Sequence, residues 1–203
     1  MENKRVKKRG MLLIISGPSG TGKTTLCNLL LQEMKSFSYS VSVTTRNPRK
    51  TESDKSDYHF ISEKEFKKMI ANDEFLEWAI VHGDYYGTPK KFVLDNLKNG
   101  KDVLLELDVQ GGLQVNGKYP RDTVLIFILP PDLKELEKRL KGRNTDSIDV
   151  IEKRLFNAKT ELKFVDCYDY LIINDNLETA YRKLKTVIKA ENFKTYRYME
   201  FQS

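Results

Sequence analysis

The stretch SGPSGTGKTT, residues 16–25, restricts the fold of this 203-residue chain more than any other segment. It follows the apolar run MLLIIS at 11–16, which is typical of a strand buried on both faces. Residues 24–35 then have helical spacing, so the loop connects a strand to a helix. The loop matches the pattern G-x-x-x-x-G-K-[ST] at Gly17, Gly22, Lys23 and Thr24.

This loop is suited to holding phosphates. Its glycines let the backbone curl so that N–H groups point at phosphate oxygens, and the following helix adds its positive end. Lys23 can reach the β- and γ-phosphates, and the Thr24 hydroxyl can ligate Mg²⁺. We therefore expect a nucleoside triphosphate to contact Gly17, Pro18, Ser19, Gly20, Thr21, Gly22, Lys23, Thr24 and Thr25.

The remaining chain alternates between strand-like and helix-like segments. Strands are predicted at 102–108, 123–130 and 168–175, and helices at 132–143, 151–165 and 177–191. This alternation predicts an α/β fold of the P-loop type, with a mostly parallel sheet and helices on both faces. Residues 38–89 break the rhythm and are interpreted as a mixed α/β insertion. Within it we predict a strand at 40–46, a capped helix from Ser62 and a strand–turn–strand at 74–89.

The net charge of +6 is concentrated at the N-terminus, where residues 1–9 carry five bases and one acid. The rest of the chain is nearly balanced, so we expect residues 1–10 to be a flexible basic tail and no specific nucleic-acid partner. No apolar run has the length of a membrane span, and the N-terminus has no apolar signal core. The two cysteines do not form a CxxC pair, which favours a cytoplasmic protein without a membrane partner.

Four further motifs narrow the function: TTRNPR at 44–49, DYHF at 57–60, EFLEWA at 74–79 and DYYGTP at 84–89. Together with the glycine-rich loop, they make the chain resemble the guanylate kinase family from residue 11 to residue 191. The resemblance implies Mg²⁺-dependent transfer of the ATP γ-phosphate to GMP, and to dGMP, by a monomer or small homo-oligomer. It also implies a single domain, 11–203, with a core (11–37, 90–141 and 156–203), a GMP-binding insertion (38–89) and a mobile lid (142–155).

An acceptor phosphate needs paired donors. Arg46 and Arg49 supply planar, bidentate guanidinium groups, and Tyr58 and Tyr86 can add phenol donors. The resemblance assigns these four side chains to the phosphate of GMP.

Guanine presents two donors, N1–H and N2–H₂, which a carboxylate can accept. The resemblance places Glu77 there, although a solvated strand residue is the alternative. Adenine would offer a lone pair at N1 and be rejected. The full expected GMP set is Ser42, Arg46, Arg49, Tyr58, Glu77, Tyr86, Gly87, Thr88, Glu106 and Asp108.

Two acids end the strand at 102–108. Asp108 is expected to hold Mg²⁺ together with Thr24, partly through water, and a helix N-cap is a compatible alternative. Glu106 stands where the family usually has aspartate, on the side of the guanine, and its side chain is one methylene longer.

The resemblance places Arg139, Arg143 and Arg154 over the triphosphate; with Lys23 and Arg46 they form the expected catalytic set. Arg139 and Arg143 are also counted among the ATP contacts, and Asn174 and Asp175 are expected at the adenine. Lys55 and Asn144 replace glycines of the family pattern, which suggests a reshaped loop and an altered lid.

Two other functions stay open. Guanylate-kinase-like domains of scaffold proteins bind peptides, but those chains have decayed loops. Another nucleoside monophosphate kinase, for AMP, UMP or dTMP, is disfavoured by Glu77 and the arginine pair.

Overall fold

Two β-sheets organise the chain in a computed structural model that describes residues 8–48, 58–81, 83–142 and 148–198. The strands are β1 (Leu12–Ser16), β2 (Phe37–Tyr39), β3 (Val43–Thr44), β4 (His59–Phe60), β5 (Phe75–Val81), β6 (Asp84–Pro89), β7 (Asp102–Glu106), β8 (Thr123–Leu129) and β9 (Tyr170–Ile173). The helices are α1 (Lys23–Glu33), α2 (Glu63–Ala71), α3 (Lys90–Lys98), α4 (Val109–Lys118), α5 (Leu133–Lys141), α6 (Ile148–Glu161) and α7 (Leu177–Glu191).

The larger sheet has the order β2-β7-β1-β8-β9, and all its paired strands are parallel. Successive side chains of β1 serve opposite faces, as the two-residue period of a strand requires. Leu13 and Ile15 pack with residues of α1 and α7, whereas Leu12 and Ile14 pack with residues of α3 and α4. The predicted parallel sheet with helices on both faces is therefore confirmed.

The smaller sheet has the order β4-β3-β6-β5 and lies within the predicted insertion, 38–89. Helix α2 covers it, with Phe66 stacked on Phe75 at 4.4 Å between ring centroids. The predicted strand–turn–strand is present as β5 and β6, and the Ser62–Glu65 capping box forms in full. The strand predicted at 40–46 is wrong in extent, because only Val43–Thr44 is extended there and β2 belongs to the larger sheet.

The described part of the N-terminus is fixed to the fold. Arg9 donates to Asp122 with 2.6 Å between Nη2 and Oδ2, and the Gly10 N–H donates to the Leu97 carbonyl at 3.1 Å. The prediction of a flexible tail is therefore wrong for residues 8–10, while residues 1–7 lie outside the described residues. In the described part of the chain, no helix combines the length and apolar character needed to cross a membrane.

Candidate active site

The loop between β1 and α1 has the backbone that its glycines allow. Gly17, Gly20 and Gly22 have φ angles of 135°, 94° and 90°, values that residues other than glycine rarely adopt. A Cβ on Gly17 would also lie 2.3 Å from the carbonyl oxygen of Ile128 on β8. The loop therefore curls closely over the end of the neighbouring strand.

The first two residues of α1, Lys23 and Thr24, are the predicted phosphate and metal contacts. Lys23 Nζ donates to the carbonyls of Gly17 and Pro18, at 2.6 and 3.0 Å. The Thr24 hydroxyl donates to Glu106 Oε1 at 2.9 Å. Thr21, in contrast, is fully buried and does not line the cavity beside the loop.

Two adjoining cavities meet beside this loop. The first, of about 640 Å³, is lined by the loop and the start of α1. The second, of about 380 Å³, extends over the smaller sheet and is lined by residues that include Glu77, Tyr86 and Gly87. The shared lining residues include Ser42, Tyr58, Glu106 and Asp108. Two ligands bound in these cavities would therefore lie next to each other.

Glu77 is the buried acid of the second cavity. Its residue is only 5% exposed, and register pairs it with Thr88 across the β5–β6 hairpin. The Thr88 hydroxyl donates to Glu77 Oε1 at 2.6 Å. Burial raises the pKa of Glu77 to about 7, opposed by the Thr88 hydrogen bond and reinforced by the charge of Asp108. The alternative of a solvated strand residue is therefore wrong.

The predicted phosphate-binding residues of the insertion lie together. Arg46 Nε donates to the Tyr86 hydroxyl at 3.1 Å, and the guanidinium carbon lies 5.5 Å from the centre of the Tyr58 ring. The rings of Tyr58 and Tyr86 meet edge to face at 5.9 Å. These contacts hold the guanidinium against Tyr58 and Tyr86, which both line the second cavity. Arg49 lies outside the described residues.

Two acids lie at and just after the end of β7. Glu106, the last residue of β7 and expected on the guanine side, accepts from the Thr24 hydroxyl at 2.9 Å and lines both cavities. Asp108 caps α4 by accepting from the Gly111 N–H at 2.7 Å, as the alternative interpretation allowed, and it lines both cavities. Its charge acts on Glu77, which places it close to the buried acid.

Helix α6 also reaches the loop. Arg154 Nη1 donates to the Ser19 hydroxyl at 3.0 Å, which places the guanidinium beside the phosphate-binding loop. Glu161, seven residues further along α6, lines the first cavity and was not predicted. Burial raises its pKa, and the charge of Lys23 opposes the rise. Two helical turns separate Arg154 and Glu161, which places them on one face of the helix. This spacing could have indicated Glu161 from the sequence.

The other predicted ATP contacts differ from one another. Asn174 is buried, and its Nδ2 donates to the Thr21 carbonyl at 2.8 Å, so the side chain braces the loop. Asp175 accepts from the Asn176 N–H at 2.7 Å. Arg139 pairs with Glu135 on its own helix at 2.9 Å. Arg143 and Asn144 lie outside the described residues, as does Lys55.

A parallel sheet whose first strand runs through such a loop into a helix defines a P-loop nucleotide-binding protein. Comparison with known proteins gives the family. A family model described as Guanylate kinase matches residues 9–191. A guanylate kinase of Caldanaerobacter subterraneus subsp. tengcongensis is 50% identical over 192 residues, 95% of this chain and 93% of that relative. The chain belongs to the guanylate kinase family.

Two further comparisons agree with this membership. A guanylate kinase of Bacillus subtilis is 47% identical over 193 residues, 95% of this chain and 94% of that relative. The crystal structure of guanylate kinase from Anaplasma phagocytophilum has a TM-score of 0.81 at 34% identity, covering 97% of this chain and 94% of that one. The match therefore includes both sheets.

Proposed function

We propose that the protein is an ATP:GMP phosphotransferase that transfers the γ-phosphate of ATP to GMP, giving ADP and GDP. The observation that carries the proposal is the junction of the two cavities. A phosphate-binding loop lines one of them, and a buried carboxylate suited to guanine lines the other. Family membership supports the same reaction.

The donor side uses the loop, Lys23 and the metal position. Backbone N–H groups and Lys23 neutralise the phosphates, after the lysine leaves the loop carbonyls that it contacts here. Thr24 and Asp108 are the proposed Mg²⁺ ligands, partly through water. The Glu106 carboxylate, whose Oε1 lies 2.9 Å from the Thr24 hydroxyl, offers a further oxygen for the ion, whose shell is completed by water and phosphate. When bound, Mg²⁺ would offset negative charge on the phosphates. Arg154, Arg139 and Arg143 are the proposed additional cations.

The residues at the acceptor site recognise the guanine base and orient the phosphate of GMP. Glu77 accepts from guanine N1–H and N2–H₂, and Asp108 lies close enough to assist. Thr88 fixes Glu77, and Ser42 lines the cavity beside it. Arg46, Tyr58 and Tyr86, with Arg49 as a further proposed donor, hold the phosphate of GMP.

The reaction needs no general base from the protein. The second pKa of a nucleotide phosphate is about 6, so the attacking oxygen is already anionic at neutral pH. The protein aligns this oxygen with the γ-phosphorus and supplies positive charge where the transition state spreads negative charge. Movement of the proposed lid, 142–155, would exclude water, which is the competing acceptor.

The test is ADP release from Mg-ATP with GMP, dGMP, AMP, UMP and dTMP offered separately. Rapid turnover with GMP, alone or together with dGMP, is the expected result. Preference for another monophosphate would keep the kinase and contradict the base assignment. Binding of nucleotide without any turnover would instead favour the alternative of a peptide-binding scaffold domain. Cytoplasmic location and a monomer or small homo-oligomer stay predictions.

A further inference from the structure

Helix α4 begins with two adjacent glycines, Gly111 and Gly112, whose presence the helix itself does not explain. Glycine in a helix is less favourable than alanine by about 1 kcal/mol. Neither residue has the positive φ that would require glycine. Both are buried, so the reason is to be found in what surrounds them.

The neighbour of Gly111 is the base-reading carboxylate. A Cβ on Gly111 would lie 2.9 Å from Glu77 Oε2 and 3.4 Å from its Cδ. It would also lie 3.3 Å from Asp108 Oδ1, the acceptor of the Gly111 N–H. The first turn of α4 therefore lies directly against both acids, at a separation too short for a Cβ unless the Glu77 carboxylate moves.

Glu77 has little room to move away without loss of function. Its other oxygen, Oε1, is held by the Thr88 hydroxyl at 2.6 Å, and the residue is 5% exposed. A Cβ on Gly111 would turn the carboxylate about that hydrogen bond or break it. The fold absorbs such a shift easily, because the displaced atom ends a side chain. Base recognition would not tolerate the shift, because two parallel hydrogen bonds from guanine need a fixed carboxylate.

We infer that Gly111 is a positioning residue that determines base specificity, because its missing side chain sets where the Glu77 carboxylate lies. The inference rests on the proposed function. Gly112 has a different role: a Cβ there would lie 3.1 Å from the Tyr168 hydroxyl and 3.2 Å from Ser16 Oγ, on the side of the larger sheet.

The first experiment compares Gly111→Ala with Gly117→Ala. Gly117 is in the same helix, and a Cβ there meets nothing within 4 Å, so it controls for the change in helix propensity. In Gly111→Ala we expect KM for GMP to rise about tenfold or more. The kcat/KM preference for GMP over AMP should fall by a similar factor, with KM for ATP within about twofold of wild type. Gly117→Ala should keep the wild-type kinetics.

The second experiment repeats the substitution in a Glu77→Asp background. The shorter aspartate withdraws the carboxylate from the new methyl group, so Gly111→Ala should raise KM for GMP less in this background than in wild type. Equal effects in the two backgrounds would overturn the inference. So would an unchanged KM for GMP, an equal rise in KM for ATP, or a Gly111→Ala variant that does not fold. Wild-type protein without GMP turnover would instead overturn the proposed function, and the inference with it.

Discussion

At the scale of single residues, the carboxyl of Glu77 connects base recognition to pH. Its pKa is raised to about 7, and guanine can donate to both of its oxygens only when it is ionised. Between pH 8 and pH 6 the ionised fraction falls about tenfold, so the affinity for guanosine should fall by about the same factor. Guanosine is the ligand of choice because the phosphate of GMP titrates in this range. Calorimetry should show this slope in wild type, and a flat profile in Glu77→Gln would assign it to Glu77.

The same residue makes a prediction about stability. The folded-state pKa of Glu77 is above its ordinary value of 4.5, so between these values the folded protein binds more protons than the unfolded chain. Stability without ligand therefore decreases as pH rises from about 4.5 to about 7 and stays lower above it. Glu77→Gln should be more stable than wild type by on the order of 2 kcal/mol at pH 8 and by less at pH 5. Urea unfolding measures this, with Glu74→Gln, an exposed glutamate, as control; an equal gain at both pH values would contradict it.

At the scale of elements, strand β9 supports the phosphate-binding loop through the residue that follows it. The Asn174 backbone N–H donates to the Leu129 carbonyl at 2.7 Å, and its side chain donates to the Thr21 carbonyl at 2.8 Å. A Cβ on Gly22 would lie 2.4 Å from Asn174 Nδ2, so loop and amide fit closely. Asn174→Ala should lower stability by about 1–3 kcal/mol, because a buried carbonyl loses its donor. It should also raise KM for ATP more than KM for GMP.

Asn176→Ala is the matched control for that loss of stability. Asn176 caps α7 by accepting from the Thr179 N–H at 3.0 Å, and its removal should cost about 1 kcal/mol without changing KM for ATP. Thermal unfolding and steady-state kinetics of the two variants separate a weaker fold from a displaced loop. Equal KM values for ATP in both variants would exclude the bracing role of Asn174.

The elements differ in how well the sequence predicts them, for physical reasons. Buried parallel strands appear as continuous apolar runs, so β1, β7 and β8 were predicted within two residues at each end. Helix α4 was missed, because VQGGLQVNGK has three glycines and owes its helix to the Asp108 cap and to packing. Strands of two or three residues, such as β2 and β3, depend on partners distant in sequence, which a local pattern does not contain.

Part of the candidate site follows from contiguous sequence motifs. These motifs predict Lys23, Arg46 and Glu77 as site residues, because each lies within one short stretch of the sequence. The positions of Glu106 and Asp108 were not separable from the sequence. Strand β7 ends at Glu106, and Asp108 belongs to the cap of the next helix, so the two acids do not share one strand face.

At the scale of the whole molecule, the carboxyl and amino ends of the strands in the larger sheet have different roles. The carboxyl ends of its strands lead to the phosphate-binding loop after β1, Glu106 on β7 and Asn174 after β9. Open α/β sheets bind ligands at the carboxyl ends of their strands. The amino ends are held by the N-terminal segment instead. Lys8 lies 3.5 Å from Asp102 at the start of β7, and Arg9 pairs with Asp122 just before β8.

This division predicts that stability and turnover can be changed separately. Arg9→Ala leaves Asp122 buried without its guanidinium partner, and the cost should be about 1–2 kcal/mol because Arg9 itself is half exposed. In a chain of this size that lowers Tm by roughly 2–8 °C. The substitution lies at the amino ends of the strands, away from the candidate active site. Because distant sites act independently, kcat and both KM values should stay within about twofold of wild type. Arg121→Ala, an exposed arginine beside Asp122, should change neither Tm nor kinetics. If kcat of Arg9→Ala fell at temperatures below the Tm of the variant, the two ends of the sheet would be coupled.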